Sequence, residues 1–307
     1  MKLQVSQITL EADRIISIKL RSPSGEELPP WQPGAHLEID VLGRFLRHYS
    51  LCGDLADRQH YSIAVLRELS GRGGSQAIHD SLRVGALLDV RRVANHFQLV
   101  DAPFYNFVAG GIGITPIISM VEHVNTLGRP WRLTYAGRCR SDMAFVDRLC
   151  ALDGQVRIVE TGAAVLVLEE VLDAAPGLTF ACGPAGMLDA LGQRCELLGM
   201  SDRLVVERFK AAPIIGVDAE QPFDAVISSS GQTITVPAQE SLLQCLLDAG
   251  CRCLFSCREG TCGSCEVGVI EGELIHRDAV LSEAERLQGD RMLPCVSRAK
   301  GRVVLDL

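Results

Sequence analysis

Apolar and polar positions alternate along the first hundred residues. Leu3, Val5, Ile8 and Leu10 set the rhythm, and Ile16, Ile18 and Leu20 continue it. It returns in His36 to Val41, Tyr61 to Leu66 and Leu87 to Val90. A period of two marks strands with one buried face, and the Gly, Pro and Asp turns between them predict an antiparallel β-barrel or sandwich over residues 1–102. From residue 103 the rhythm changes. Strand patterns at Asn106 to Ala109, Arg132 to Ala136, Val156 to Thr161, Leu178 to Cys182 and Leu204 to Glu207 alternate with helical ones at Pro116 to Leu127, Ser141 to Leu152, Val165 to Ala174 and Pro184 to Leu198. That alternation predicts a parallel, doubly wound α/β domain over 103–210. Residues 211–222 contain Pro213 and Gly216, lack periodicity and read as a linker. Residues 223–307 predict a small α+β domain: a hairpin around Gly231, a helix from Ser241 to Ala249 stopped by Gly250, and closing strands at Glu266 to Ile270 and Val303 to Leu307.

Two stretches interrupt the first pattern. Arg47-His48-Tyr49-Ser50 offers a cation, a flat aromatic ring and a hydroxyl on one strand, although an edge strand with a solvated Arg has the same sequence. Gly71-Arg72-Gly73-Gly74-Ser75 precedes a helical pattern, with Ser75 placed as its N-cap. Glycines admit a ligand close to the backbone, a helix N-terminus attracts anions and Arg72 adds a cationic fork. A plain hairpin turn is the alternative. Together the two stretches suit a phosphorylated, flat aromatic ligand, which flavin mononucleotide satisfies.

In doubly wound sheets ligands bind beyond the C-terminal strand ends. Three such ends carry informative residues here. Gly110-Gly111-Ile112-Gly113-Ile114-Thr115-Pro116 follows the first strand, with Thr115 read as N-cap and Pro116 at the first helical position. Gly137-Arg138-Cys139-Arg140-Ser141 follows the second, and Cys182-Gly183-Pro184 the fourth. Each alone is an ordinary strand-to-helix turn; three on one sheet edge point to a nucleotide.

Charge narrows the partners. The 307 residues carry a formal net charge of −8, which argues against nucleic acid. The N-terminus shows no apolar signal core, and the run from Phe104 to Met120 is broken by Asn106, Thr115, Pro116 and three glycines, so no membrane span is expected and a cytoplasmic protein is. In a reducing compartment the twelve cysteines read as metal ligands plus small buried hydrophobes.

Four cysteines stand apart. Cys257, Cys262 and Cys265 are spaced C-x4-C-x2-C, with Cys295 distant, the ligand spacing of a plant-type [2Fe–2S] cluster. Gly260, Gly263 and Ser264 let the backbone turn its N–H groups toward the sulfurs. Zinc favours a second C-x2-C pair, which this chain lacks.

In this order, the Arg47-x-Tyr49-Ser50 strand, the Gly71-to-Ser75 loop, the Gly110-to-Pro116 loop, Cys182-Gly183-Pro184 and the cysteine loop resemble the phthalate dioxygenase reductase family over essentially the whole chain. Members feed electrons to Rieske-type non-haem iron oxygenases, including aromatic ring dioxygenases, O-demethylases and carnitine monooxygenase. The resemblance implies an antiparallel β-barrel flavin domain that binds FMN, an NAD(P)-binding α/β domain, and a C-terminal β-grasp ferredoxin domain. It implies that Arg47, Tyr49, Ser50, Ala64, Val65, Arg72, Gly74 and Ser75 hold the flavin and its phosphate. Gly110, Gly111, Gly113, Arg138, Ser141, Gly183 and Pro184 would hold the nucleotide. Thr115 would lie near the flavin ring, Cys182 near the nicotinamide, and Phe209 would cover the flavin. Cys257, Cys262, Cys265 and Cys295 would hold the cluster. NADH is the expected donor, while Arg138 and Arg140 leave NADPH open. Electrons would leave through a rim of Arg258, Glu259, Gly260 and Ser264 to a Rieske-type oxygenase component. A stand-alone diaphorase serving a cytochrome or haem monooxygenase, and a redox-sensing module without catalysis, are the competing readings.

Overall fold

The computed structural model describes residues 1–307 except 42, 44, 70–72, 163–165, 173–176, 210–220 and 256. Arg72 and positions 211–220 of the expected linker therefore lie outside the described residues. The chain divides into two compact units, Met1–Glu207 and Arg208–Leu307.

In the first unit, strands β1 (Lys2–Ala12), β2 (Ile15–Arg21), β3 (His36–Val41), β4 (Phe45–Ser50), β5 (His60–Leu66) and β6 (Leu87–Ala94) form an antiparallel sheet in the order β4-β3-β6-β1-β2-β5. An isolated bridge between Leu51 and Ile63 joins its two edges at one point and curls the sheet into a barrel. The period of two is the cause: Val5, Ile18, Leu20, Leu37, Ile39 and Ile63 all turn inward and are fully buried. Each such side chain contributes about 1.5–3 kcal/mol. Helix α1 (Gly74–Ser81) crosses between β5 and β6.

The chain then runs β7 (Tyr105–Gly110), α2 (Ile114–Thr126), β8 (Trp131–Gly137), α3 (Val146–Cys150), β9 (Gln155–Glu160), α4 (Leu168–Leu172), β10 (Leu178–Cys182), α5 (Ala185–Leu197) and β11 (Leu204–Glu207). These strands form a parallel sheet in the order β11-β10-β7-β8-β9. The winding direction reverses between β7 and β10, so the crevice at their C-terminal ends is the topological switch point where ligands bind in such sheets. Helix α3 is shorter than the pattern from Ser141 to Leu152 suggests. A 3₁₀ turn takes up Arg140–Asp142, and Phe145 adopts φ +62°, a left-handed conformation that resets the chain before the helix begins.

The barrel and the parallel sheet share a core. Ile15, Cys52, Ala64 and Phe97 of the barrel side cluster with Phe107, Ile117, Met120 and Phe180. A bidentate ion pair reinforces this seam. Arg148 of α3 meets Glu122 of α2 at 2.5 and 2.6 Å, and its remaining nitrogen donates to the Cys52 carbonyl at 3.0 Å.

The second unit is a mixed sheet of β12 (Phe223–Ile227), β13 (Thr233–Val236), β14 (Val267–Ile275), β15 (Arg291–Met292) and β16 (Arg298–Asp306), ordered β13-β12-β16-β14-β15. Its first and last long strands, β12 and β16, pair in parallel at the centre. Helix α6 (Leu242–Asp248) packs Leu242, Cys245 and Leu246 onto one face, giving a β-grasp. Ser241 caps it by accepting from the Gln244 N–H, and Gly250 at φ +82° follows its end. Two elements escaped the periodicity. Helix α7 (Glu283–Gln288) opens on a capping box between Ser282 and Glu285, and β15 is only two residues long. No helix among the described residues is long and apolar enough to cross a membrane.

Candidate cofactor sites

The barrel brings part of the first constellation together. Strand β4 pairs along its length with β3, and apart from the Leu51–Ile63 bridge at its end its other side has no strand partner among the described residues. Arg47 lies against the start of α1, where a Cβ on Gly74 would meet the guanidinium at 2.7 Å. Glycine is what allows this cation to sit on the helix N-terminus, a combination suited to phosphate. Tyr49 lies nearby; burial, partly offset by Arg47 and reinforced by Glu68, pushes its phenol well above its usual range. Ser75 is not the helix cap. Gly73, at φ +86°, holds that position because only glycine adopts it freely, and the Ser75 hydroxyl instead accepts from the Glu68 N–H at 3.2 Å. Ser50 is buried. On β5 the pleat separates two neighbours: Ala64 packs in the core shared with the parallel sheet, whereas Val65 fills the barrel. A ligand can therefore reach Val65 only through its backbone, whose carbonyl already accepts from His79 Nε2 at 2.9 Å.

At the switch point two turns interlock. A Cβ on Gly113 would stand 2.3 Å from the Cys182 carbonyl oxygen, and one on Gly110 would stand 2.5 Å from Pro184. Gly183 in turn approaches the Gly110 backbone. Gly111 adopts φ +54° with open space around it, leaving its backbone accessible. Thr115 is likewise not a cap. The chain already turns as a 3₁₀ helix at Gly111–Gly113, so α2 begins at Ile114 and the Thr115 hydroxyl donates back to the Ile112 carbonyl at 3.0 Å. The same turn lies against β5, which sets the glycine-rich loop beside the barrel.

Cys182 ends β10 fully buried, and burial pushes its thiol well above the usual range. Its register partner on β11 is Glu207. Glu207 Oε2 is buried with no hydrogen-bond partner among the described residues, and burial pushes the carboxyl up to about 8. Both groups are thus neutral at pH 7, so the Cys182–Glu207 pair adds no charge to this end of the crevice. Glu207 had no chemical role in the sequence reading; an acid at the end of an apolar β11 pattern was the available signal. After β8, Arg138 and Ser141 are exposed, and Arg138 makes no ion pair among the described residues. Arg140 is engaged by Asp147 at 2.8 Å. Phe209 belongs to the second unit and is 40% exposed.

In the second unit the four sulfurs converge. Cys257, Cys262, Cys265 and Cys295 are all buried. Cys257 is in hydrogen-bonding contact with Cys262 and Cys295, and Cys265 with Cys295; those contacts draw the Cys257 and Cys265 thiols below their usual range. The Glu259 N–H points at the Cys257 sulfur at 3.3 Å. Left-handed backbone at Arg258, Gly260 and Gly263 winds the loop around them. Four buried thiols linked in a chain of three contacts, with a backbone donor aimed at one of them, fit a [2Fe–2S] cluster. The expected rim changes in one respect. Gly260 is buried beneath Val296 and Asp278, and the exposed positions are Leu254 at 82%, Phe255 and Arg258, whose guanidinium lies 4.4 Å from the Phe255 ring.

Residues 225–300 match the family model of the 2Fe-2S iron-sulfur cluster binding domain. The chain is 39% identical to phenoxybenzoate dioxygenase subunit beta of Ectopseudomonas oleovorans, over 99% of this chain and 97% of that one. It superposes on the crystal structure of phthalate dioxygenase reductase, described as modular for electron transfer from pyridine nucleotides to [2Fe–2S], with 34% identity, a TM-score of 0.70, and coverage of 100% and 98%. An intact type IV self-sufficient cytochrome P450 monooxygenase matches with 41% identity and a TM-score of 0.90, but this chain spans only 41% of that one. With a flavin barrel, a pyridine-nucleotide sheet and a cysteine cage in one polypeptide, the chain belongs to the phthalate dioxygenase reductase family of oxidoreductases.

Proposed function

We propose that this oxidoreductase draws electrons from NADH through FMN and a [2Fe–2S] cluster and delivers them to a Rieske-type oxygenase component. The observation that carries this reading is the convergence of four buried sulfurs in the same chain as a nucleotide crevice at a sheet's switch point. Bound flavin and cluster supply the conversion of a two-electron hydride into single electrons.

The protein's part is binding and orientation. Arg47, Gly74 and Ser75, with Arg72, hold the flavin phosphate at the start of α1, while Tyr49, Ser50, Ala64 and the Val65 backbone bracket the ring. One phosphate cradle among the described residues of the barrel favours FMN. Gly110, Gly111, Gly113, Gly183 and Pro184 let the nucleotide approach the backbone closely. Thr115 and Cys182 border the reacting rings. Arg138 and Ser141 take the pyrophosphate. NADH is favoured over NADPH because Arg140 is paired with Asp147, which leaves Arg138 as the cation of that turn without an ion pair among the described residues.

The partner docks on the cluster rim at Leu254, Phe255 and Arg258, with Glu259 and Ser264 beside them. Relatives named as reductase or oxidoreductase subunits of oxygenase and demethylase systems support that partner. The P450 likeness supports a haem monooxygenase as second reading. Mixing the loaded protein and NADH with a Rieske-type oxygenase decides between them: substrate turnover that requires this chain is expected. Turnover only with a haem monooxygenase would favour the second reading.

A further inference from the structure

The four cysteines of the cage come from two separate segments, 257–265 and 295. A third segment, 276–281, braces both, and its centre is Asp278. The Asp278 side chain is fully buried. Its Oδ1 accepts from the Val280 N–H at 3.0 Å and the Leu281 N–H at 2.7 Å. Those bonds hold Val280 and Leu281 in the apolar cluster that contains Cys265 and Cys295. Its Oδ2 accepts from the Ser297 hydroxyl at 3.5 Å, two residues beyond Cys295, and that hydroxyl accepts from the Arg277 N–H at 3.2 Å. On the other side, the Ala279 N–H donates to the Gly260 carbonyl at 2.8 Å, and Gly260 lies so close to Asp278 that a Cβ there would stand 3.0 Å from its Cα. Asp278 thus touches the loop of the first three ligands and the turn of the fourth.

Its charge is only partly offset. Arg286 Nη2 stands 3.9 Å from Oδ1 and spends its hydrogen bond on the Asp278 carbonyl at 2.5 Å. His276 Nδ1 lies 3.8 Å from Oδ2, but burial pulls its pKa down, so it is neutral at pH 7. A buried carboxylate beside a group that becomes more negative on reduction opposes that reduction.

We propose that Asp278 is the positioning residue of the cluster cage, joining the two cysteine-bearing segments and, as a buried anion, holding the reduction potential of the cluster low. The inference rests on the [2Fe–2S] assignment and extends it to a residue outside the ligand set. Asp278→Asn keeps the shape and an acceptor oxygen but removes the charge. In a redox titration followed by electron paramagnetic resonance, and poised at the wild-type midpoint, its cluster is expected to be about ten parts reduced to one oxidised. That ratio is a 59 mV rise for a one-electron couple. An unchanged ratio overturns the tuning role. Ser297→Ala keeps the charge and removes the hydroxyl link: its cluster is expected to bleach under chelator at least about fivefold faster, with the ratio within about twofold of one. Wild-type bleaching in that variant overturns the bracing role, and it decides the matter should the Asn protein hold no iron. Wild-type protein that takes up neither iron nor sulfide overturns the cluster assignment itself, a different result from either. Flavin-dependent ferricyanide reduction by NADH, unchanged in both variants, shows that the first unit is intact.

Discussion

Glu207→Gln isolates a buried proton. In the folded protein the carboxyl is pushed up to about 8, so at neutral pH it stays protonated beside the buried Cys182 thiol. In the unfolded chain it loses its proton near the ordinary value of 4.5. Between these values the native state binds more protons than the unfolded state, so the contribution of Glu207 to stability is complete below 4.5 and is lost as the pH rises toward 8. A rise from 4.5 to about 8 sets a ceiling of about 5 kcal/mol at 1.36 kcal/mol per pH unit. The residue as a whole is only half-buried although Oε2 is inaccessible, and solvent screening reduces the realised effect to about 2 kcal/mol between pH 5.5 and 7.5. Glutamine does not titrate. Melting followed by flavin fluorescence, at fixed flavin concentration, is therefore expected to show wild type losing about 4–8 °C more than Glu207→Gln over that interval, at 2–4 °C per kcal/mol for a unit of this size. Parallel curves would falsify the neutral carboxyl; wild type gaining on the variant as pH rises would mean that it is ionised and paired.

Other substitutions probe the remaining parts. Cys265→Ser should abolish NADH–cytochrome c reduction yet leave ferricyanide reduction through the flavin; loss of both activities would break the proposed order of electron flow. Gly113→Ala drives a methyl toward the Cys182 carbonyl 2.3 Å away, which should cost about 1–3 kcal/mol and raise the KM for NADH at least about tenfold, so unchanged nucleotide kinetics would refute the interlock. Arg148→Met removes the guanidinium between Glu122 and Cys52, and a fall in Tm of about 4–8 °C is expected for a half-buried bidentate pair worth about 2 kcal/mol. Leu254→Asp should raise the KM for the oxygenase about tenfold without changing cytochrome c reduction at saturation, and an unaltered KM would move the docking face elsewhere.

Much of this was legible in the sequence because the periods are clean. Alternation such as Leu37 and Ile39, or Ile18 and Leu20, specifies a barrel face directly, and Ser241 with Gly250 brackets α6 as capping chemistry requires. The cysteine spacing identified the cage without help from the fold. Caps at the two ligand loops were misread for one shared reason. A hydroxyl before a helical run looks like a cap, yet at Ser75 and Thr115 a glycine-rich turn had already started the helix, leaving both hydroxyls to bond elsewhere. The burial of Gly260, the pairing of Cys182 with Glu207 and the bracing by Asp278 join residues far apart along the chain, and local pattern carries no trace of such contacts.

The core shared by barrel and parallel sheet has a consequence for recombining such reductases. Ile15, Cys52, Ala64 and Phe97 complete a hydrophobic cluster whose other half belongs to the nucleotide-binding layers, and a Cβ on Gly34 would already collide with the Phe97 carbonyl and with Met120 of α2. A chimaera cut near residue 102 would leave both fragments with an uncovered apolar wall, the kind of surface that aggregates. The transplantable piece is Met1–Glu207 as a whole, and a swap of electron-exit modules belongs after it. The proposed donor and flavin sites would therefore travel together through recombination, separately from the proposed acceptor face.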